Sequence, residues 1–585
     1  MNSPSHHRRI RRSSARHPAY WGPPLALALI FWLTALVGVW AAYDRTVAWD
    51  RFTLITIGLL MAALLANAGL WWGDRALALA GMGLALLAGA LAIYFLFTYD
   101  WRQQATIKFP LLYQWGVWWQ DHRPSIPVPE DINANVAASG LELLLPLGIG
   151  AALFAIQQRW LRPVAFIALA AALLAAITLV VTMSRGSWLG LGAGGLLALY
   201  IWWRTRSNGR WRRRDDLIVG LLMAGILVVF LMALLAPGWL HLLDSLGFAA
   251  ATGSRVALWR DALTMIGDYP FTGSGLGVTM MVHASYVMLI HVGFIAQMHN
   301  LFLEVAVQQG LPGMAALIGL LVAAAMALRS RLIHRGPSIL LFAVIISLTA
   351  LIVHGMFDAA VYASHMAPLM FLPMGFALGL APKTRRTTQS SHLQRRMFLL
   401  GGLLALGLLW LLTPAARSAF LSNLGAVQQT RAELSVYDWP EWGIQDAVRR
   451  SPNVDLSPAI AYYQAALVLN QDNVSANRRL GQIQLSRGSY QQAHSLLQRA
   501  YAHAPWQHPN RLLLGESYAI RGEIEPAARL WSTISAQLWW DKDWIGPQSF
   551  RTRQWWHHSI EEEQQANWIG EVIDQATTIE QETNP

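Results

Sequence analysis

Four short stretches of this chain set chemistry-bearing side chains beside apolar runs. "MHNLFLEVAVQQGLPG", residues 298–313, puts His299 and Asn300 ahead of an apolar segment that Gly310, Pro312 and Gly313 interrupt. An imidazole titrates near pH ~6.5, so His299 is suited to act as a base near neutrality. "VTMSRGSWLG", 181–190, holds Arg185 between Ser184 and Gly186 in a very short turn joining two apolar runs. "TGSRVALWRDALTMIGDYPFTGSGLG", 252–277, carries Arg255 four residues before Trp259, which puts both on one face of a helix. "HGMFDAAVYASH", 354–365, adds His354, Asp358 and His365. A guanidinium is planar, permanently charged and able to hold phosphate oxygens through two parallel hydrogen bonds. Two arginines and a histidine at one membrane surface therefore fit an anionic, lipid-linked substrate.

Each of these residues also has a plainer reading. Arg185 could be an interfacial arginine with its stem in lipid, and Arg255 with Trp259 a helix-packing pair. His299 could simply decorate a helix start as its cap. Asp358 either orients a histidine or caps a helix, while Glu142, inside an apolar run, needs a partner. "PFTGSGLG", 270–277, lacks the Lys-Ser/Thr of a phosphate-binding loop and follows no strand, so it reads as a flexible or closely packed turn. Neither a His-x-x-His nor an Asp-x-Asp pattern accompanies the candidate residues, and no metal or other cofactor is expected. The absence of cysteine removes disulfides and thiolate chemistry.

What must position these side chains is a set of membrane helices. Of 585 residues, 55% are hydrophobic and 13% charged, a composition outside that of soluble domains. Runs long enough to cross a bilayer, ~20 residues, fall at about 24–42, 52–72, 76–97, 136–156, 163–183, 187–203, 217–236, 312–328, 338–357, 366–381 and 397–412, eleven in all. The basic start, 1–23, precedes the first run, which is long for a signal segment and reads as a retained helix with a cytoplasmic N-terminus. With that start inside, the inner loops 1–23, 73–75, 157–162, 204–216, 329–337 and 382–396 hold 22 Lys and Arg, and the longer outer segments only 8. Positive charge marks the cytoplasmic side, so the four motif regions face outward. The +11 net charge thus reflects topology, and no nucleic-acid partner is expected. The apolar stretch 277–298 would be a twelfth span, but it would move basic loops outside; it reads as a helix on or dipping into the outer surface.

Beyond residue 412 the chain turns polar, with 18 acidic and 14 basic residues from 414 to 585. Leu480 and Leu514, Gly481 and Gly515, and Ala493 and Ala527 each lie 34 positions apart, the period of tetratricopeptide helix pairs. Ala500 and Pro505 fit the same register, and Ala459, Tyr463 and Ala466 fit the second helix of a preceding, degenerate unit. The expected organisation is a basic N-terminus, 1–23, a polytopic membrane domain, 24–412, with an outer loop at 237–311, and an extracytoplasmic helical domain, 413–585. The fold class is all-α, and such repeats usually hold a protein partner or guide a polymer.

In this order, "TMSRGSWLG", "GSRVALWRDALTMIGDYPFTGSGLG", "HNLFLEVAVQQGLPG" and "HGMFDAAV" resemble the O-antigen ligase and O-antigen polymerase superfamily, which includes bacterial protein O-oligosaccharyltransferases. The resemblance covers roughly 24–412. It implies a GT-C-like, metal-independent, inverting glycosyltransferase in the bacterial cytoplasmic membrane, with an undecaprenyl-pyrophosphate-linked glycan as donor. The acceptor would be a glycan, lipid A core or a protein. Arg185 and Arg255 then correspond to the arginines that hold the pyrophosphate, and His299 to the histidine that activates the acceptor, with Asn300, His354 and Asp358 as supporting residues. Two other classes stay open. A polysaccharide transporter or flippase would place polar residues near mid-membrane, and a membrane-anchored repeat scaffold would tolerate alanine at Arg185, Arg255 and His299.

Overall fold

The computed structural model describes residues 22–103, 109–124, 132–208, 214–221, 249–287, 290, 293, 295–382, 412–437, 443–535 and 550–583. Among them every regular element is helical, apart from an isolated bridge between Ile290 and Ile444. The membrane part runs α1 (Gly22–Ala41), α2 (Arg45–Trp72), α3 (Asp74–Thr98), α4 (Pro110–His122), α5 (Ala134–Gln157), α6 (Arg162–Val181), α7 (Arg185–Asn208), α8 (Ala249–Asp268), α9 (Thr279–Val287), α10 (Leu301–Arg335), α11 (Ile339–Gly355), α12 (Ala360–Ala363) and α13 (Leu372–Gly379). Six of these, α1, α2, α3, α5, α6 and α10, are long and apolar enough to cross a membrane, while α11 and the stretch Ala367–Gly379 are apolar but shorter. The expected span 187–203 is helical within α7. Those at 217–236 and 397–412 lie largely outside the described residues.

Lipid offers no hydrophobic drive between helices, so close packing must hold them together, and small residues permit it. A Cβ on Gly148 of α5 would meet the Ala85 Cβ of α3 at 2.7 Å, and one on Gly194 of α7 would meet the Ile346 carbonyl of α11 at 2.7 Å. The two ends of this bundle differ. At one end Arg204 meets Asp215 at 2.7 Å, Arg329 meets Asp216 at 2.6 Å, and Arg331 meets Asp74 at 3.2 Å. These residues belong to loops expected on the inner side. The other end collects the four motif regions.

Helix α10 is two helices joined at a kink, because Gly310 has φ +74° in a position no side chain could share: a Cβ there would lie 2.8 Å from the Phe271 carbonyl carbon. A nine-residue arm, 301–309, therefore precedes the apolar part that matches the expected span 312–328. The turn at 270–277 is seated in this kink. Leu311 N donates to Pro270 O (2.9 Å), Ser274 N donates to Val307 O (2.7 Å), and Gly273 sits against the Gln308 backbone. The glycine-rich stretch is thus a closely packed turn. Within 277–298 the described helix, α9, is nine residues long, too short to cross a bilayer, and seven of its residues are buried.

The C-terminal part comprises α14 (Pro414–Leu434), α15 (Gln445–Arg450), α16 (Ser457–Leu469), α17 (Val474–Ser486), α18 (Tyr490–His503), α19 (His508–Ala519), α20 (Ile524–Ser535), α21 (Phe550–Ser559) and α22 (Glu563–Thr583). The starts of α17 and α19, and of α18 and α20, are each 34 residues apart. Equivalent glycines make equivalent contacts, with Gly481 against Leu497 and Gly515 against Trp531. Ala459, Tyr463, Ala466, Ala493 and Ala527 are all buried. This domain packs on the same end of the bundle as the motif regions, where the Asn423 Oδ1 accepts from the amides of Phe271 and Thr272.

Candidate functional site

His299 lies immediately before the arm of α10, with φ +46°, a left-handed conformation uncommon for a side chain larger than glycine. It is not the cap of the helix. That role belongs to Asn300, whose Oδ1 accepts from Phe302 N and Leu303 N, both at 3.0 Å, while its Nδ2 donates to the carbonyl of Met356 (2.9 Å). One asparagine thus ends one helix start and ties it to the end of α11. The carbonyl of His299 accepts from Trp259 Nε1 at 3.4 Å, so the tryptophan one turn beyond Arg255 braces the histidine backbone.

The His299 ring faces Asp358, with Nδ1 3.5 Å from Oδ2. That separation lies at the outer limit of a hydrogen bond, and such pairs often tighten only when substrate is present. Nδ1 is itself inaccessible while the side chain is 33% exposed, which leaves the opposite, Nε2 edge of the ring as its open face. Asp358 is buried and also accepts from Ala360 N (2.7 Å) and Gln297 Nε2 (3.2 Å). Burial by itself would raise its pKa. Hydrogen bonding from His299, the charges of His354 and His299, and the Ala360 amide outweigh it and bring the carboxyl down to about 2.

A second histidine lies one helical turn before Asp358. His354 Nδ1 is 2.8 Å from Glu142 Oε1 on α5 and 3.4 Å from Ser187 Oγ on α7, and all three side chains are buried. Glu142 has the partner its position demands. Gly186 packs flat on this imidazole: a Cβ there would fall 2.4 Å from Cδ2 and 2.7 Å from Nε2 of His354. The Ser-Arg-Gly turn is therefore seated on His354, and Arg185 follows from it.

Arg185 is exposed, with its guanidinium 5.7 Å from the centroid of Phe109. Arg255 is half-buried and within electrostatic range of the His354 imidazole. Among the described residues neither guanidinium pairs with a carboxylate, whereas Arg204, Arg329 and Arg331 at the opposite end of the bundle do. The structure thus groups Arg255, His299, Asn300, His354 and Asp358, with Arg185 on the turn beside them. It leaves His365 exposed and, among the described residues, without a hydrogen bond or ion pair to this group. Glu304 is buried beneath, accepting from Met298 N and Thr279 Oγ1, each at 2.7 Å, and so fixes the loop that leads into His299.

Sequence reasoning treated Trp259 only as a packing partner of Arg255 and left Glu142 unmatched. The i,i+4 spacing of Arg255 and Trp259 was a visible signal for the first. Nothing local could have joined Glu142 to a histidine 212 positions away. No group of three or more metal-ligating side chains occurs among the described residues.

A search of curated proteins found no match to the chain. Residues 170–318, the segment with Arg185, Arg255, His299 and Asn300, are similar to the family model described as O-Antigen ligase (Wzy_C), a match that supports the ligase and polymerase superfamily for this polytopic, all-helical membrane protein.

Proposed function

We propose that this protein transfers or polymerises a glycan carried on undecaprenyl pyrophosphate, at the outer face of the bacterial cytoplasmic membrane. The observation that carries this reading is the grouping of two arginines that, among the described residues, have no carboxylate partner and a His299–Asp358 pair at one end of the bundle, inside or beside the segment similar to O-antigen ligases. Arg185 and Arg255 hold the pyrophosphate. A guanidinium about 4 Å from a phosphate charge contributes ~4 kcal/mol at an effective dielectric of ~20, enough to bind the donor and to steady the charge that develops on departure.

His299 is the base. Its open Nε2 edge accepts the proton of an acceptor hydroxyl as that oxygen attacks the anomeric carbon. The new glycosidic bond forms as the carbon–oxygen bond to phosphate breaks, and the electron pair leaves with undecaprenyl pyrophosphate. In-line attack inverts the anomeric configuration. Asp358 faces Nδ1 and stabilises the imidazolium that results. The two guanidinium groups supply positive charge where a divalent ion would otherwise be needed, so the reaction proceeds without added metal. The chemistry is the same whether the hydroxyl belongs to a glycan, to lipid A core or to a protein. The C-terminal domain, read as a tetratricopeptide-like stack, lies beside the site and holds an acceptor or an assembly partner.

The test is to incubate purified protein with a lipid-linked glycan and candidate acceptors in a chelating buffer. Glycosylated acceptor and free undecaprenyl pyrophosphate should appear together, and Arg185→Ala, Arg255→Ala and His299→Ala should each abolish both while the protein remains folded. Transfer at the wild-type rate by the triple variant would remove this reading.

A further inference from the structure

Helix α8 ends in a way that local rules disfavour. Its last residue is Asp268, a buried carboxylate at the negative end of the helix dipole. The compensation comes from 210 positions further along the chain. Arg478 and Arg479, on α17 of the C-terminal domain, both donate to Asp268 Oδ2, Arg479 through Nε at 2.7 Å, and the Tyr286 hydroxyl joins them on the same oxygen. Burial would raise the pKa of Asp268, but the two guanidinium charges outweigh it and hold the carboxyl well below its usual range.

Arg479 is itself fixed on every side. It donates to Tyr269 Oη (2.8 Å) and Gln429 Oε1 (3.2 Å), and its guanidinium lies 5.1 and 5.2 Å from the ring centroids of Tyr269 and Tyr286. Arg478 is held by Gln507 Oε1 at 2.7 Å. The next residues are gripped as well, Tyr269 by Thr430 and the amides of Phe271 and Thr272 by Asn423. One end of α8 is therefore locked to the C-terminal domain, and its other turns carry Arg255 and the Trp259 that braces His299. The same locked turn, 270–274, is seated in the kink of α10, just beyond the arm that Asn300 caps.

We infer that Arg478 and Arg479 are positioning residues for the transfer reaction: by gripping Asp268 they fix α8, so that Arg255 faces the donor and Trp259 holds His299. Donor binding then depends on the C-terminal domain without that domain touching the donor. This rests on the transferase reading for its kinetic consequence, but the mechanical coupling does not.

Two measurements separate them. In the first, donor is titrated at saturating acceptor for wild type, R478A/R479A and R479K, with R553A as control. Arg553 makes an equally buried pair in the same domain, but with Asp446 and Glu516 and not with Asp268. The double variant should raise the donor KM by about tenfold, the scale of one lost ~1.4 kcal/mol contact, with acceptor KM unchanged. R479K, which keeps the charge on Asp268 but loses the fork to Tyr269 and Gln429, should recover part of it. R553A should lower stability and leave donor KM as in wild type. Equal donor KM values for R553A and the double variant would overturn the inference; if the double variant does not fold, an unchanged donor KM for R479K would do so. In the second, the cysteine-free chain receives a single nitroxide at Gly267→Cys, an exposed α8 position with open space around it. The label should become more mobile in R479K. An unchanged spectrum overturns the coupling even if no transferase activity is found, and a mobile label without activity overturns only the transferase reading.

Discussion

Replacing Asp358 by asparagine separates the shape of the site from its charge. The carboxylate is 5% exposed, and its bonds from Ala360 N and Gln297 can be copied by an amide oxygen. What asparagine cannot copy is the negative charge facing His299 Nδ1 at 3.5 Å. Against the ordinary 3.8, burial pushes this acid up, but the hydrogen bond from His299, the two histidine charges and the Ala360 amide bring it down to about 2. At ~1.4 kcal/mol per pH unit, the ionised form is favoured by about 2 kcal/mol in the folded protein. Because the folded value lies below the unfolded one, that stabilisation is complete above pH ~4 and is lost as pH falls through about 2. In the range of any practical assay Asp358 stays charged, so an acid limb in the rate profile belongs to another group. Asp358→Asn should therefore cost about 2 kcal/mol of stability or less, and lower kcat by about 10²–10⁴-fold through a misoriented base that lacks its counter-charge. Donor KM should hold, since Arg185 and Arg255 are untouched. The assay is initial-rate transfer from a lipid-linked donor across pH, with thermal unfolding in detergent alongside. A variant that keeps the wild-type kcat and pH profile would refute the role given to the pair.

Substitutions at two further positions test the packing that carries the site. Gly186→Ala pushes a methyl against the His354 ring at 2.4 Å, where neither the tight turn nor the buried imidazole can yield easily; it should cost about 1–3 kcal/mol and raise donor KM by displacing Arg185, measured by unfolding and donor titration. Glu142→Leu leaves His354 without its carboxylate in a buried site and should destabilise by about 3–5 kcal/mol; Glu142→Gln, which can still accept a hydrogen bond, should lose clearly less, and equal unfolding midpoints for the two would count against the pair.

The sequence by itself determined the class of this molecule. Apolar runs of bilayer length admit little but helices, since backbone groups in lipid must satisfy one another within the segment, and six of the eleven runs are helices able to cross a membrane. The sorting of arginines by loop grouped 73–75, 204–216 and 329–337, and ion pairs join these three at one end. The 34-residue spacing of Gly481 and Gly515 anticipated helix pairs with equivalent contacts, because a small residue is required wherever two helices must nearly touch. Arg255, His299 and Asp358 could be nominated because each is costly or reactive beside lipid. What the tertiary structure alone decided is who meets whom. Glu142 with His354, Asp358 with His299 and Asp268 with Arg479 are separated by 212, 59 and 211 positions. No periodicity encodes such pairs, since each arises where separately stable helices pack and a buried charge must find whatever opposite group the packing delivers. The arm before Gly310 belongs to the same category: the glycine was legible as a break, but only the turn at 270–274 seated against it showed why the break is there.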